Sequence, residues 1–345
     1  MLPSPKLLTN LCLRWRTNQM KASTIFSSKA LTLSIGLLSS SSIFAASCCG
    51  GGSAGSLILP KFGKKVVDVS FDIESYKGKW DSDRNYIPDP AADSLNQYRL
   101  NIGYGQRLSK NWQASIVVPY VWNDNQLSGE TIKSDGFGDT SLSFWYETFD
   151  RVTCVYQVNS IEDLKPAIYL GGSLIIPTGN SMYGDNASVN YDITGRGLYR
   201  FDSNIIIEKT VYPFTATLQG SYGKHIARPV NQEYGEAVEP YTKRLGDRKF
   251  LSASFGYTVF LEDLDTLTFS AALASLKEGK AQTDKHKEAK SQLEKQSASL
   301  SAAYASPDLR YIYKASWSHA FASDDYGMNF PVTDIITLGL SYAFN

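Results

Sequence analysis

Residues 336–345 read "ITLGLSYAFN", a strict alternation in which Ile336, Leu338, Leu340, Tyr342 and Phe344 share one face and Thr337, Gly339, Ser341 and Ala343 the other. An extended strand puts every second side chain on the same side, so this segment is a strand with one apolar and one small, weakly polar face. The stripe recurs upstream in Leu267, Phe269, Ala271 and Leu273, in Leu251, Ala253, Phe255, Tyr257, Val259 and Leu261, and in Phe214, Ala216, Leu218, Gly220 and Tyr222. A soluble sandwich turns its polar face to water and fills it with Lys and Glu. Here the second face is mostly Ser, Thr, Gly, Ala and Gln, which suits the lumen of a barrel whose apolar stripe meets lipid.

Composition agrees. The chain is 43% hydrophobic and 20% charged with zero formal net charge, which excludes a disordered chain and a basic nucleic-acid binder. Beyond the N-terminus no apolar run reaches the roughly 18–20 residues of a membrane-spanning helix, so any crossing is made by strands. Aromatics gather near strand ends, at Trp112, Tyr120 and Trp122 and at Tyr311, Tyr313, Trp317 and Phe321, where membrane barrels carry interfacial girdles.

The connections alternate in length. Segments 80–92, 123–137, 178–193, 226–248, 277–296 and 323–332 are long and polar, whereas those near 108–111, 211–213, 262–265 and 306–309 are short. Long extracellular loops and short periplasmic turns are the habit of outer-membrane barrels, and an even strand count returns both termini to the periplasm. The expected strands are 66–79, 94–107, 112–122, 138–148, 166–177, 195–210, 214–225, 249–261, 266–276, 297–306, 310–322 and 333–344. The fold class is therefore all-β, a transmembrane antiparallel up-and-down barrel of about twelve strands, with both termini periplasmic. One periplasmic connection, 149–165, is long enough to hide a further hairpin, which sets a range of about 10–14 strands.

Before the barrel, Lys6, Arg14, Arg16, Lys21 and Lys29 precede the first acid, Asp68, and the apolar stretch "ALTLSIGLLSSSSIF" ends in "AAS" at 45–47. This is the layout of a signal peptide over 1–47, with a second possible start at Met20 and cleavage after Ala45 or Ser47. Residues 48–65 form a Gly-rich periplasmic tether or plug, with an apolar knot at Leu57 to Leu59, ahead of a barrel over 66–345. Its vicinal Cys48 and Cys49 are open to a strained disulfide, a soft metal, a bond to a periplasmic partner, a lipid anchor, pairing with Cys154 or no role at all. Whether they hold a metal is unknown from sequence; two adjacent thiolates alone make a poor closed site.

Two segments, "SDGFGDTSLSFWYETF" at 134–149 and "GGSLIIPTGN" at 171–180, resemble the meta-pathway phenol-degradation family of outer-membrane transporters, relatives of FadL-like β-barrel channels. The matching residues are Gly136, Gly138 and Asp139 entering one strand and Pro177, Thr178 and Gly179 leaving another, and the layout matches over about 65–345. The resemblance implies passage of small hydrophobic or aromatic compounds and brings no catalytic residue. The double cysteine is not part of the family's pattern. The residues also have a purely structural meaning, since the glycines suit a tight loop and Pro177 ends a strand by lacking a backbone donor.

Opposite the apolar stripe, the expected lumen-lining charges are Asp68, Asp72, Glu74, Arg99, Arg107, Glu147, Arg200, Asp202, Glu208 and Lys314. Six acids against four bases predict internal ion pairs that brace and narrow the bore, with Arg99 facing the first-strand acids, and no strong ion selectivity. Tyr342 and Phe344 form the expected assembly signal read by the barrel assembly machinery. The six lysines of loop 277–296 are interleaved with four acids, the pattern of a solvated loop, with lipopolysaccharide phosphate as the functional alternative.

Chemistry has little to work with. A histidine base must be His225, His286 or His319, and Ser316 and Ser318 point away from His319 on its own strand. No phosphate loop, zinc spacing or haem motif occurs, so neither enzyme activity nor a cofactor is expected. The sequence thus favours an outer-membrane channel or transporter for a small solute, surrounded by outer-membrane lipid and lipopolysaccharide. The alternative is a non-conducting barrel that engages a periplasmic protein through its tether.

Overall fold

A computed structural model describes residues 57–344 apart from 60–62, 81–85, 89–93, 128, 149–154, 185–191, 262–264, 290 and 322–331. The signal segment, Cys48, Cys49 and Cys154 lie outside the described residues. Twelve antiparallel strands close into a barrel: β1 (Lys65–Trp80), β2 (Ser94–Arg107), β3 (Trp112–Leu127), β4 (Thr140–Glu147), β5 (Ala167–Ile176), β6 (Arg200–Val211), β7 (Phe214–His225), β8 (Arg248–Phe260), β9 (Thr266–Glu278), β10 (Leu293–Ala305), β11 (Tyr311–Ala320) and β12 (Val332–Phe344). Each pairs with the next, and β12 pairs back onto β1 with Lys65 opposite Phe344, so the ring has no open edge.

The alternation sorts side chains as lipid outside demands. Leu273, Leu300, Leu251, Leu338, Phe255 and Phe269 are exposed on the outer wall, whereas their strand neighbours point inward. A belt of exposed large apolar side chains is costly in water and favourable in hydrocarbon. Among the described residues no helix is long and apolar enough to cross a membrane. The chain is a multi-pass transmembrane barrel of the outer-membrane type.

Three departures from the sequence reading concern the connections. Residues Glu130–Phe137 fold back on the outer half of β3, with Leu127 opposite Glu130, where a plain loop was expected. The long connection before β5 adds no barrel strand among the described residues. It holds one bridge, Val155 to Val211, and a single helical turn at Ile161–Leu164 capped by Ser160 and Asp163. The loops 226–248 and 277–296 are not plain loops either. Arg228–Glu233, Glu236–Arg244, Gln282–Thr283 and His286–Lys287 join in a separate four-stranded sheet at the long-loop end. Its two hairpins turn at Tyr234-Gly235 and Asp284-Lys285, all four residues having positive φ, the backbone that two-residue hairpins favour.

Candidate functional site

The interior has two unlike walls. On β1 to β6 large charged side chains bonded to one another dominate the inward face, alongside buried serines such as Ser70, Ser115, Ser143 and Ser173. Arg99, 2% exposed, lies 3.3 Å from Asp72 and 3.2 Å from Glu74, both fully buried. Arg99 also donates to Gln97, which donates to Asn123, which in turn donates to Ser134 and to the Ile193 carbonyl of the long loop 177–199. Asp72 takes further hydrogen bonds from Asn101 and, across the seam, from Thr337. Asp68 binds Lys314 at 2.9 Å and the Ser341 hydroxyl.

Toward the short-turn end, Arg107 spans Glu147 at 3.3 Å and the Gly63 carbonyl at 3.1 Å. Buried Glu208 takes a hydrogen bond from Thr217. At the opposite end Arg200 chelates Asp202, with Nε to Oδ1 at 2.6 Å. All ten expected charges thus sit on the inward parity of their strands.

Inward residues lying beyond the expected strand ends were missed: Arg248, Glu278 and Lys295. They keep the parity of Ser252, Leu276 and Ser297, and that signal was available in the sequence. Arg248 and Glu278 are direct cross-strand neighbours. Arg196, on the loop between β5 and β6, clamps Glu278 with two bonds of 2.6 and 2.9 Å.

Over the middle of β7 to β11 the inward face is mostly small and hydroxylated, with Thr215, Thr217, Ser221, Ser254, Thr268, Ser270, Ser297, Ser299, Ser301, Ser316 and Ser318 all partly accessible, and the charges Arg248, Glu278, Lys295 and Lys314 stand toward its ends. Pairs of these hydroxyls bond to each other, Ser270 to Ser301 at 2.7 Å and Thr258 to Thr268 at 2.9 Å. Packed ion pairs on one side and short hydroxyl side chains on the other displace the free bore toward β7 to β11.

Two elements enter this interior. From the short-turn end, Leu57 and Leu59 pack against Val66 and Val117, while Ile58 packs between Trp145, Ala167, Tyr169 and Ile206 on the facing wall. The Leu59 amide donates to Gln113 at 2.6 Å. Gly103 and Gly105 make room, since a Cβ on Gly105 would fall 2.8 Å from Leu59 and 3.0 Å from Val66. The apolar triplet therefore lies inside the barrel against the inner wall of β1 to β6.

From the other end, the loop after β5 folds inward, and the two glycine motifs meet there. Asp139 accepts the amides of Gly179 (3.3 Å) and Arg196 (2.7 Å), and Thr178 donates to the Gly138 carbonyl at 2.6 Å. A Cβ on Gly195 would lie 2.2 Å from the Asp139 carboxylate and 2.8 Å from Gly179. Gly195→Ala is expected to cost about 1–3 kcal/mol through this overlap and to release the loop. Faster limited proteolysis between 180 and 196 in the folded, detergent-solubilised variant is the check.

His319 faces outward, its Nδ1 2.8 Å from Asp334. Its cross-strand partners are Ala298 and Asp334, so no hydroxyl nucleophile stands directly beside it. Among the described residues no His, Cys, Asp and Glu group has the arrangement of a metal site.

A closed twelve-stranded barrel with a lipid-facing apolar belt, an internally braced wall and an inserted N-terminal segment defines an outer-membrane β-barrel. The structure is similar to the COG4313 outer membrane channel from Pseudomonas putida F1, with a TM-score of 0.60 at 13% identity over 83% of this chain and 97% of that one. Lower scores come from the beta domain of the Bordetella autotransporter BrkA (0.47, 13% identity, 82% of this chain and 100% of that one) and from the CymD monoaromatic hydrocarbon channel (0.36, 9% identity, 82% and 89%). No family model and no curated sequence matches the chain.

Proposed function

We propose that this barrel is a channel for small uncharged solutes, moving along the hydroxyl-lined wall of β7 to β11. The observation that carries this reading is the asymmetry of the interior. Most inward charges are spent on neighbours, so they brace the barrel rather than attract ions, while the middle of the hydroxyl wall, between Lys314 at one end and Arg248, Glu278 and Lys295 at the other, offers weak hydrogen bonds with little charge. Small aromatic or hydrophobic compounds, the class implied by the resemblance to the meta-pathway family, fall within this range. Leu57 to Leu59, packed on the inner wall of β1 to β6, narrow the interior at the short-turn end.

In planar bilayers the purified protein is expected to give discrete conductance steps with a potassium-to-chloride permeability ratio of about one. A silent barrel would instead favour the scaffold that holds a periplasmic partner through its tether.

Tyr342 and Phe344 stack on each other outside β12, their ring centroids 5.7 Å apart, with Tyr311 5.0 Å from Tyr342. Here they are the signal that the assembly machinery reads. Phe344→Asp is expected to reduce the heat-modifiable folded band in outer-membrane fractions several-fold while leaving total synthesis unchanged. Normal assembly of that variant would remove the role.

A further inference from the structure

One sector of the outer wall at the long-loop end is rich in lysine. Lys224 on β7, Lys249 on β8 and Lys277 on β9 are all exposed on the lipid-facing parity, above Tyr222, Leu251 and Leu273. Lys249 and Lys277 stand directly opposite each other in the β8–β9 register. Like charges at such a position destabilise a sheet unless something neutralises them.

Lys277 is paired with Glu294, its neighbour on β10. Asp247 is held by Tyr222 at 2.6 Å and by Arg244 at 2.5 Å. The Tyr222 hydroxyl first, then Arg244, keep the Asp247 carboxyl below the usual carboxylate range against a partial-burial effect that raises it. Both nearby acids are therefore committed, Lys224 sharing Asp247 with Tyr222 and Arg244, and Lys249 has no ion-pair partner among the described residues.

Depth identifies what meets them. From Lys249 down β8 to the aromatic Tyr257, strand rise and tilt give about 20 Å of membrane thickness, close to the ~25 Å height of an apolar belt. The ammonium groups thus ride at the outer-leaflet headgroups. Below them the surface is relieved rather than flat: Ala253 lies between Leu218 and Leu273 in the cross-strand row, and Gly220 is opposite Leu251. The outer surface under the cations is therefore uneven, with small side chains beside leucines.

We infer that Lys224, Lys249 and Lys277 form a binding site for the phosphorylated headgroup of an outer-leaflet glycolipid, whose acyl chains lie against β7 to β9. Glu294 already neutralises Lys277, so phosphate beside Lys249 supplies the counter-charge that this cross-strand pair still lacks, and Lys224 adds a contact on the neighbouring strand. The site is independent of whether the barrel conducts.

The test uses full-length refolded protein and bis-phosphorylated lipid A in detergent, with bound lipid counted by native mass spectrometry. Wild type is expected to retain lipid A, and the Lys224→Gln, Lys249→Gln double variant to bind about 25-fold more weakly, about fivefold per lysine. Lys249→Arg should retain binding, and Lys209→Gln at the short-turn end should bind like wild type. Dephosphorylated lipid A is expected to bind as poorly to wild type as lipid A does to the double variant. Equal binding by wild type and double variant, or by phosphorylated and dephosphorylated lipid, would overturn the site. Displacement of the lipid by millimolar inorganic phosphate would overturn the lipid assignment in favour of a free-anion site.

Discussion

Arg99→Met is expected to destabilise the folded barrel by about 3–5 kcal/mol, the largest effect of any single interior substitution considered for this protein. The residue stands between Asp72 and Glu74, neither of which reaches water. Removing the guanidinium leaves two carboxylates together in a water-poor interior, with Lys295 beside Glu74 as the remaining cation. It also takes away the donor to Gln97, through which β2 is linked to β3 and to the inward loop. The loss should appear as a lower urea midpoint for disappearance of the heat-modifiable band. The triple variant Asp72→Asn, Glu74→Gln, Arg99→Met removes the stranded charge and should recover much of the midpoint. If the single and triple variants are equally unstable, packing of the arginine stem rather than its charge holds the wall.

The second large effect is on permeation. Replacing Leu57, Ile58 and Leu59 by serine removes three buried apolar side chains, each contributing about 1.5–3 kcal/mol when fully buried, far more than the about 1 kcal/mol net of the single Leu59 to Gln113 hydrogen bond. The segment should leave the bore, and single-channel conductance should rise several-fold with tether length unchanged. An unaltered conductance would mean that the triplet lies beside the path of permeation rather than across it.

Much of this architecture is legible in the sequence because lipid imposes it. Wherever a strand crosses hydrocarbon, every second residue must be apolar, and β2 and β7 run from Ser94 to Arg107 and from Phe214 to His225, the spans the alternation predicts. Beyond the membrane that selection ends. The hairpin Glu130–Phe137 carries Thr131, Lys133 and Asp135 on alternate positions and reads as a polar loop, although its backbone pairs with β3. The sheet built from Arg228–Arg244 and Gln282–Lys287 was hidden for the same reason, and its two parts lie in different loops, a proximity that no local pattern encodes. Arg248, Glu278 and Lys295 lie where the apolar stripe has ended but the strand parity continues, so the stripe alone does not reveal them. The meeting of Asp139 with Gly179 likewise depends on how two loops fold together. Each motif alone indicates only a tight turn.

The seam between β1 and β12 has a consequence in time. Every other barrel pairing joins strands consecutive in the chain, so it closes a short loop and forms early. The seam unites residues such as Asp72 and Thr337, 265 apart, and must wait until all the hairpins between them are in place. Until then β1 and β12 present free edges, and Asp68 and Asp72 lack Lys314, Ser341 and Thr337. Those inward bonds arrive together with the last ladder, making closure cooperative and its reversal slow. The completed ring is thus expected to persist kinetically well beyond what the strength of any one of its contacts would suggest.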